Sequence, residues 1–227
     1  MEIKIIRSYK KAHLAKGLVV IIDVLRAFTT CCFIFNSGAQ EIIPVADLDL
    51  AYELIKNNPV CVSVGERKGL KIKGFDYGNS PEEISKINLK DKTIIFTTSA
   101  GTLGLVRAEN ADEIITGAFV NAQAIINYIK KRNPKILSLI ITDNKYSDNE
   151  DFMFAKYITN KLKGKQTIFN DIKTHLMQHP TSDGFLKTPL TKHAKRDFYL
   201  SLDLDRFNFI IKAEKYGNLL VLKRYDK

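Results

Sequence analysis

One short segment constrains the fold more than any other: residues 17–23 read GLVVIID, a continuous apolar run that ends in an aspartate. An unbroken apolar run is typical of a strand buried on both faces, as in a parallel sheet covered by helices. Similar runs return along the chain and alternate with segments of helical spacing. This alternation predicts an α/β fold of three layers, α/β/α, with a mostly parallel or mixed central sheet.

The other elements are predicted from apolar spacing, turn residues and helix-capping side chains. A C-terminal hairpin is expected because Gly217 and Asn218 separate two apolar runs. Region 170–200 has the least regular pattern and is interpreted as a lid or an excursion. Strands are predicted at 17–23, 41–45, 60–64, 93–98, 113–117, 136–142, 207–213 and 219–224. Helices are predicted at 25–36, 48–56, from 81, from 102, at 122–131 and at 150–163, with N-caps at Asp47, Ser80, Asn121 and Asn149.

Length and composition set the size and the compartment of the molecule. With 227 residues, 45% of them hydrophobic, the chain can bury one substantial core, so a single domain over 1–227 is expected. No apolar run approaches the roughly 18 to 20 residues that span a membrane, and the charged N-terminus lacks the apolar stretch of a signal peptide. The three cysteines include no C-x-x-C pair, which favours reduced thiols. These features predict a cytoplasmic protein with no membrane partner.

The formal net charge of +10 has three interpretations. It is compatible with a nucleic-acid-binding protein, with a solvated Lys-rich surface, and with a positive field that attracts an anionic substrate. The basic residues occur in scattered groups of two or three and are not interleaved with aromatic side chains, as a stacking platform for nucleic acid would be. This pattern predicts no nucleic-acid partner, although charge alone does not separate the three interpretations.

Polar side chains follow most of the predicted strands at the point where each strand ends. Ligands of open parallel sheets bind at the carboxyl ends of the strands, so these positions are candidate site residues. Asp23 directly follows a buried strand and has Arg26 three residues on, which suits a metal or phosphoryl site. The other strand ends carry Glu66 with Arg67, the segments 97–99 and 118–121, and Asp143 with Asn144.

These candidates also have purely structural interpretations. Asp23 can be an ordinary N-cap, and Asn121 is most economically one. The pair at 66–67 can form a surface ion pair. Glu150 and Asp151 fall in the first turn of a predicted helix, where the helix dipole favours acidic residues.

Two loops have the composition of a phosphate or cation site. In GFDYGNSP (74–81), glycines permit close approach of the backbone, and Asp76 and Asn79 supply hard oxygen ligands suited to Mg²⁺. In TTSAGT (97–102), small residues lie between a strand and a helix, where backbone N–H groups can bind phosphate. Each loop alone is also explained as an ordinary connection into a helix.

His175 and His179 have the i, i+4 spacing that can ligate zinc on a helix. The sequence has no H-E-x-x-H motif and shows no obvious third ligand, so surface histidines are the better interpretation. The cysteines are poor nucleophile candidates, because no His/Asn arrangement accompanies them.

Five segments occur in a characteristic order: IDVLRAFTT (22–30), GERKGLKIKGFDYGNSP (65–81), a TT…GT loop (97–102), GAFVNA (117–122) and the pair Glu150-Asp151. Together they resemble the 2-phosphosulfolactate phosphatase family, also called ComB-like. IDVLRA and GFDxGNSP are the specific segments, and the others support them in combination. The resemblance runs from about Gly17 to about Tyr157, and the part beyond about residue 165 matches only loosely.

The resemblance implies a three-layer α/β/α fold and Mg²⁺-dependent hydrolysis of 2-phosphosulfolactate, or of a related 2-phospho-hydroxy acid, to the hydroxy acid and phosphate. In some organisms this step serves coenzyme M biosynthesis. The implied catalytic residues are Asp23, Arg26, Glu66, Arg67 and Asp76. The implied substrate contacts are Asn79, Thr98, Ser99, Gly101, Thr102 and Asn121. The implied Mg²⁺ ligands are drawn from Asp23, Glu66, Asp76, Glu150 and Asp151.

Some alternatives stay open at this point. Asp23 can be a metal ligand or a nucleophile that forms an aspartyl-phosphate. The chain departs from the family's usual TTNGT loop, because Ser99-Ala100 replaces the Asn, and Ala155-Lys156 stands where Ala-Gly is expected. A relative that binds the anion without turnover is therefore an alternative to an enzyme, and a nucleic-acid-binding protein is the third hypothesis. A homodimer is compatible with the sequence, which does not decide the oligomeric state.

Overall fold

A computed structural model describes residues 1–143 and 145–226, so the predicted strand-end residue Asn144 lies outside the described residues. The strands are β1 (Glu2–Arg7), β2 (Leu18–Ile22), β3 (Glu41–Pro44), β4 (Val62–Arg67), β5 (Leu70–Lys71), β6 (Thr93–Thr97), β7 (Glu113–Gly117), β8 (Ile136–Ile141), β9 (Ile210–Tyr216) and β10 (Leu219–Tyr225). The helices are α1 (Ala27–Asn36), α2 (Leu48–Asn57), α3 (Pro81–Ile84), α4 (Gly101–Arg107), α5 (Ala122–Arg132), α6 (Glu150–Leu162), α7 (Phe169–Gln178), α8 (Asp183–Leu186) and α9 (Ala194–Ser201). Short 3-10 segments occur at Tyr9–Leu14, Phe119–Asn121 and Pro180–Ser182.

Within the described residues, ten strands join one mixed sheet in the order β1-β8-β2-β7-β9-β10-β3-β6-β4-β5. The first block, β1-β8-β2-β7, is parallel, with Val19 of β2 opposite Ile114 of β7 and Ser138 of β8. The second block, β3-β6-β4, is parallel as well. The antiparallel hairpin of β9 and β10 lies between the blocks, which confirms the predicted turn at Gly217 and Asn218.

The carboxyl ends of both parallel blocks open into the same cleft, although the ladder reverses direction three times between β7 and β3. Residues from both blocks nevertheless line this cleft, including Thr142 after β8 and Glu66 in β4. Asp23 after β2 and Glu66 in β4 therefore line one cleft.

Helix α1 lies at the centre of the core, surrounded by strands of both blocks. Its residues 27–35 are all buried. They pack against one face of the sheet, including Ile21 of β2, Phe96 of β6 and Leu222 of β10. A helix that is apolar on all sides is stable only in such an interior. Because β2 leads directly into α1, this packing fixes the position of the linking residues 23–26.

Helices on the other face of the sheet complete the third layer. Ile125 of α5 and Phe154 of α6 pack against the first block, and Ala51 of α2 packs against the second. The structure therefore confirms the predicted three-layer α/β/α fold with a mixed sheet. None of the described helices has both the length and the apolar character needed to cross a membrane.

Three features differ from the sequence expectations. β1 was not predicted because it is an edge strand with mostly exposed side chains and lacks a buried apolar run. Region 170–200, interpreted as a lid or an excursion, contains the helices α7, α8 and α9 and is more regular than its pattern suggested. Asn121 makes no cap bond to α5, because its Oδ1 accepts the N–H of Ala118 and its amide donates to the carbonyl of Phe209.

Candidate active site

The carboxyl ends of the strands open into a cleft of about 260 Å³. One side carries acidic groups that follow β2, belong to β4, or follow β8. The opposite side comes from the segment 184–194, which contributes Phe185 and Leu190. The charged residues that line the cleft are Asp23, Arg26, Glu66, Lys68, Asp143, Glu150 and Asp151.

Asp23 lies where β2 ends and the chain turns into α1. Its Oδ1 accepts the N–H of Ala27 at 2.9 Å, so the side chain does satisfy the start of the helix, as its structural interpretation predicts. The same carboxyl group also lines the cleft. Gly101 comes so close that a Cβ at this position would lie 3.0 Å from Oδ2 of Asp23 and 2.8 Å from the Cβ of Ala27. A glycine is therefore required to keep the 97–102 loop against Asp23.

Asp151, in the first turn of α6, joins the ends of two strands. Its Oδ1 accepts the N–H of Val24, after β2, at 2.9 Å. Its Oδ2 accepts the hydroxyl of Thr142 at 3.1 Å and the N–H of Asp143 at 3.4 Å, both after β8. The carboxyl group is thus fixed by three donors, and interaction with the helix dipole alone does not account for its position.

Glu150 lies beside Asp151 and is held by a residue from a distant segment. Asn149 caps α6 as predicted, since its Oδ1 accepts the N–H of Phe152 at 3.0 Å. This cap places Glu150 at the cleft, where the hydroxyl of Thr181 donates to its Oε2 at 2.6 Å. Both acidic residues of the pair are buried.

Burial of three carboxyl groups at one cleft makes their ionised forms costly. Burial raises the pKa of Asp23 to about 7, and the negative charge of Glu66 adds to this rise. Burial likewise raises the pKa of Glu150 to about 7. Burial and the charge of Glu150 hold the pKa of Asp151 well above its usual range. A bound cation would offset these effects, so the cluster has the electrostatic character of a cation site.

Glu66 fastens the 97–102 loop to β4. Its Oε1 accepts the N–H of Ser99 at 2.6 Å, and its Oε2 accepts the Ser99 hydroxyl at 3.1 Å and the N–H of Gly69 at 2.8 Å. Glu66 is therefore buried and oriented, and the surface ion pair considered for it with Arg67 does not form.

Arg26 contributes a positive charge to the cleft and is itself held in place. Its Nη1 donates to Oδ2 of Asp197, in α9, at 2.7 Å, and its Nη2 donates to the carbonyl of Gly69 at 3.1 Å. Oδ1 of Asp197 accepts the hydroxyl of Ser80 at 2.7 Å and the N–H of Glu82 at 3.0 Å. The guanidinium is thereby oriented before any ligand is present.

Lys68 and Asn79 offer further polar contacts. Lys68 has an exposed side chain and a left-handed backbone, with φ of 54°, and its N–H donates to the hydroxyl of Ser99 at 3.4 Å. Oδ1 of Asn79 is buried at the cleft and has no hydrogen-bond partner among the described residues. A buried polar atom of this kind is a candidate contact for a bound ligand.

Six predicted site residues do not line the cleft: Arg67, Asp76 and Asn121, and, in the 97–102 loop, Thr98, Gly101 and Thr102. Asp76 is exposed, and its Oδ2 accepts both the hydroxyl and the N–H of Ser63, at 2.6 and 2.8 Å. Arg67 donates to the hydroxyl of Thr97 at 2.8 Å and does not line the cleft. Asn121 is buried beyond β7. Roles for these residues in the site stay predictions that their positions do not support.

The predicted phosphate loop uses most of its own donors. The N–H of Thr102 donates to the hydroxyl of Thr98, and the N–H of Thr98 donates to the hydroxyl of Thr102. The N–H of Ser99 is bonded to Glu66. The N–H groups of Ala100 and Gly101 are those that remain in this loop, and of these two residues Ala100 lines the cleft.

Asp197 and Lys68 are candidate functional residues that sequence reasoning missed. Asp197 lies in the region interpreted as irregular, and no local pattern connects it with Arg26. Lys68 directly follows the end of β4, so the preference of ligands for strand ends could have identified it.

An α/β/α fold with buried acids and an oriented guanidinium at the carboxyl ends of its strands has the arrangement in which α/β enzymes bind small ligands. A sequence model for the family described as 2-phosphosulpholactate phosphatase matches residues 4–215. The chain belongs to this family of phosphoric monoester hydrolases. The match extends past residue 165, where the resemblance read from the sequence was loose.

Curated relatives agree with the family match. A Clostridium tetani protein is 33% identical over 214 residues, which cover 90% of this chain and 91% of the relative. A Clostridium kluyveri protein is 32% identical over 232 residues, covering 100% of this chain and 88% of the relative. A Caldanaerobacter subterraneus protein is 40% identical over 159 residues, covering 69% of this chain and 66% of the relative. Each carries the name "Probable 2-phosphosulfolactate phosphatase".

Proposed function

We propose that this protein is a Mg²⁺-dependent phosphatase that hydrolyses 2-phosphosulfolactate, or a related 2-phospho-hydroxy acid. One observation carries the proposal. Asp23, Glu150 and Asp151 are buried together at one cleft with raised pKa values, beside the positive charges of Arg26 and Lys68. The family and the names of the relatives supply the substrate.

The chemistry of the donor set fits a divalent cation of the magnesium type. Mg²⁺ prefers oxygen ligands and is usually held by one or two carboxylates. Some of Asp23, Glu150 and Asp151 would hold the ion, because these three buried acids share the cleft. When bound, Mg²⁺ supplies charge neutralisation and lowers the pKa of a bound water.

The protein's own cations and amides would orient the substrate. Arg26 is fixed by Asp197 and by the Gly69 carbonyl, so its planar fork needs little rearrangement to contact a carboxylate, sulfonate or phosphate. Lys68, with its exposed side chain, supplies a second positive charge. The N–H group of Ala100, which lines the cleft, would donate to a phosphoryl oxygen.

Hydrolysis consumes one water, breaks the ester P–O bond, and leaves the hydroxy acid and phosphate. The attacking water has to lose a proton. A carboxylate at the cleft that does not ligate the ion would accept it, and Asp23 and Glu150, which both line the cleft, are the candidates. Direct attack by Asp23 on phosphorus, which expels the hydroxy acid and forms an aspartyl-phosphate, is the other route; a water that then attacks phosphorus would release phosphate and restore the Asp23 carboxylate.

The test measures phosphate release from 2-phosphosulfolactate, phospholactate and p-nitrophenyl phosphate, each with excess Mg²⁺ and with excess EDTA. We expect activity that EDTA abolishes and added Mg²⁺ restores. Glu150→Gln should lower kcat at least about 100-fold, the scale seen when a preorganised polar group is removed from a site. Glu53→Gln, on the exposed side of α2, is the matched control. Full activity in EDTA would contradict the proposal.

A relative that binds the anion without turnover is the second candidate. The observation that favours it is Ser99, which is bonded to Glu66 through both its N–H and its hydroxyl at the position where the family's loop carries Asn. This candidate predicts substrate binding without phosphate release.

In either case we propose that residues 1–227 act as one domain in the cytoplasm. The three cysteines, which are free thiols here, would stay reduced in that compartment.

A further inference from the structure

Asp148, His175 and His179 form a compact cluster near the start of α6. The two histidines lie one turn apart at the end of α7, where the N–H of His179 donates to the carbonyl of His175 at 3.0 Å. Nε2 of His179 lies 3.1 Å from Oδ1 of Asp148, and Nε2 of His175 lies 3.4 Å from Oδ2. The interpretation as surface histidines is wrong for His179, whose side chain is 8% exposed. The structure also supplies Asp148 as the third ligand that the sequence did not reveal.

The donor set and its spacing fit a transition metal better than Mg²⁺. Two imidazole nitrogens and one carboxylate oxygen form a typical zinc ligand set, whereas Mg²⁺ prefers oxygen alone. A tetrahedral ion with bonds of about 2.0–2.2 Å separates its ligand atoms by roughly 3.4 Å. The three ligand atoms here all lie within 4.8 Å of one another. His175 and Asp148 are partly exposed, so an ion and a completing water can reach the cluster.

His179 connects this cluster to the acidic cleft. Its Nδ1 accepts the N–H of Thr181 at 3.2 Å, and the hydroxyl of Thr181 donates to Glu150 at 2.6 Å. The neutral imidazole therefore carries its proton on Nε2, which faces Asp148. A metal bound to Nε2 would displace the proton from that nitrogen, so the neutral imidazole would carry its proton on Nδ1. The N–H groups of His179 and Thr181 would then point at each other. Thr181 would then have to turn away, and Glu150 would lose its donor.

We propose that Asp148, His175 and His179 form an inhibitory site for zinc or a chemically similar divalent transition metal. Occupation of the site reverses the hydrogen-bonding role of Nδ1 of His179 and withdraws Thr181 from Glu150. The metal site rests on the cluster alone, whereas the inhibition rests on the proposed function of the cleft.

Binding is tested with the full chain in excess Mg²⁺, so that the acidic cleft is saturated. Zn²⁺ is titrated by calorimetry, and Co²⁺ reports the ligand set through its visible absorption. We expect one equivalent to bind, and binding at least about 100-fold weaker in His175→Ala, because loss of a ligand costs more than loss of an outer partner. His13→Ala, at an exposed histidine in the 9–14 segment, should bind like the wild type. Equal zinc binding by the wild type and His175→Ala would overturn the site.

Inhibition is measured as phosphate release at saturating Mg²⁺, and each variant is compared with its own zinc-free rate. Zn²⁺ should lower kcat at least about 10-fold in the wild type and in His13→Ala, which is the scale of one lost hydrogen bond to a charged group. It should leave the kcat of His175→Ala unchanged. Thr181→Val should have a low kcat without zinc, and zinc should lower that kcat little further. Zinc that binds the cluster without slowing the enzyme, or that slows His175→Ala equally, would overturn the inhibition. A chain that binds zinc but hydrolyses no phosphoester would contradict the phosphatase and leave the metal site standing.

Discussion

Arg26 and Asp197, 171 residues apart in the chain, form a buried ion pair at the cleft, with 2.7 Å between Nη1 and Oδ2. The side chains are 7% and 0% exposed. Burial raises the pKa of Asp197, and the charge of Arg26 opposes that rise. The pair joins the start of α1 to α9, so that the C-terminal third of the chain sets the position of a residue in the active-site cleft.

Asp197→Asn should cost both stability and activity. The new amide would place its N–H groups against the guanidinium of Arg26 or, if turned, against the N–H of Glu82. Disruption of a buried pair typically costs about 3–5 kcal/mol in the free energy of unfolding. We expect kcat/KM to fall at least about 10-fold as Arg26 loses its orientation. Urea unfolding and steady-state kinetics measure the two effects. Asp203→Asn, whose partner Arg206 is partly exposed, is the matched control and should change stability by less than about 1 kcal/mol.

Local signals were sufficient for most of the fold. β7 spans the predicted residues 113–117, and the caps at Asp47, Ser80 and Asn149 make the hydrogen bonds expected of them. Apolar periodicity and capping depend on neighbours in sequence, so they can be read from it. The bond of Asp197 to Arg26 arises only when α9 packs against α3 and α8, and no pattern within either segment encodes it.

The same difference, between signals local in sequence and contacts that form only in the folded chain, applies to the site. The carboxylates of Asp23, Glu66, Glu150 and Asp151 do share one cleft, in agreement with the strand-end argument and the family resemblance. Arg67, which follows Glu66 in β4, does not, because successive side chains of a strand point to opposite faces. β4 continues past its predicted end at residue 64, so Arg67 points away from the cleft although it is adjacent to Glu66 in sequence.

Asp23→Asn should lower kcat at least about 100-fold and leave the metal-free protein as stable as before, or more stable. Asn keeps an oxygen for the N–H of Ala27, and the change removes a buried negative charge close to Glu66. Kinetics with Mg²⁺ and thermal unfolding in EDTA test both statements. Asp49→Asn, exposed in α2, is the control. Near-normal turnover in Asp23→Asn would mean that Asp23 serves only the start of α1.

Without a divalent cation, stability should fall as the pH rises from about 5 to about 8. Asp23 and Glu150 have pKa values of about 7 in the folded protein, above their ordinary values of 3.8 and 4.5. Across this interval the folded protein holds protons that the unfolded chain has released, so stability is lost as the pH climbs through about 7. Excess Mg²⁺ should remove much of the fall.

The comparison is the unfolding temperature in EDTA at pH 5.5 and pH 8, for the wild type and for Glu150→Gln. The variant lacks one of the titrating groups, so its unfolding temperature should depend less on pH. An equal dependence in the two proteins would show that Glu150 does not hold a proton in the folded state.

The positive charge should serve a small anion and give no tight binding to nucleic acid. The net charge is +10, yet the basic residues are scattered, and two of the cations line the cleft. Fluorescence anisotropy with single- and double-stranded oligonucleotides near physiological salt should show only non-specific affinity, with Kd of about 10⁻⁴ to 10⁻⁶ M. Nanomolar affinity for any oligonucleotide would support the nucleic-acid hypothesis instead.

Arg26 and Lys68 together predict that the substrate carries a second anion beside its phosphate. The ammonium of Lys68 is a positive charge at the cleft beyond those of Arg26 and of the proposed Mg²⁺, and a second anionic group of the substrate would pair with it. Arg26 is partly neutralised by Asp197, whereas the exposed side chain of Lys68 lies at the cleft next to the 97–102 loop. Lys68 is therefore the residue whose removal should separate substrates with one anionic group from those with two.

Lys68→Met keeps most of the length of the side chain and removes its charge. It should lower kcat/KM for 2-phosphosulfolactate or phospholactate by about 10- to 150-fold, the value of one charge-assisted contact, and change p-nitrophenyl phosphate hydrolysis much less. Arg67→Lys is the matched control, because Arg67 bonds to Thr97 and to main-chain carbonyls outside the cleft, and any loss should be equal for all substrates. If Lys68→Met also slows all substrates by one factor, then Lys68 acts on the phosphoryl group or on the fold, and the substrate needs no second anion.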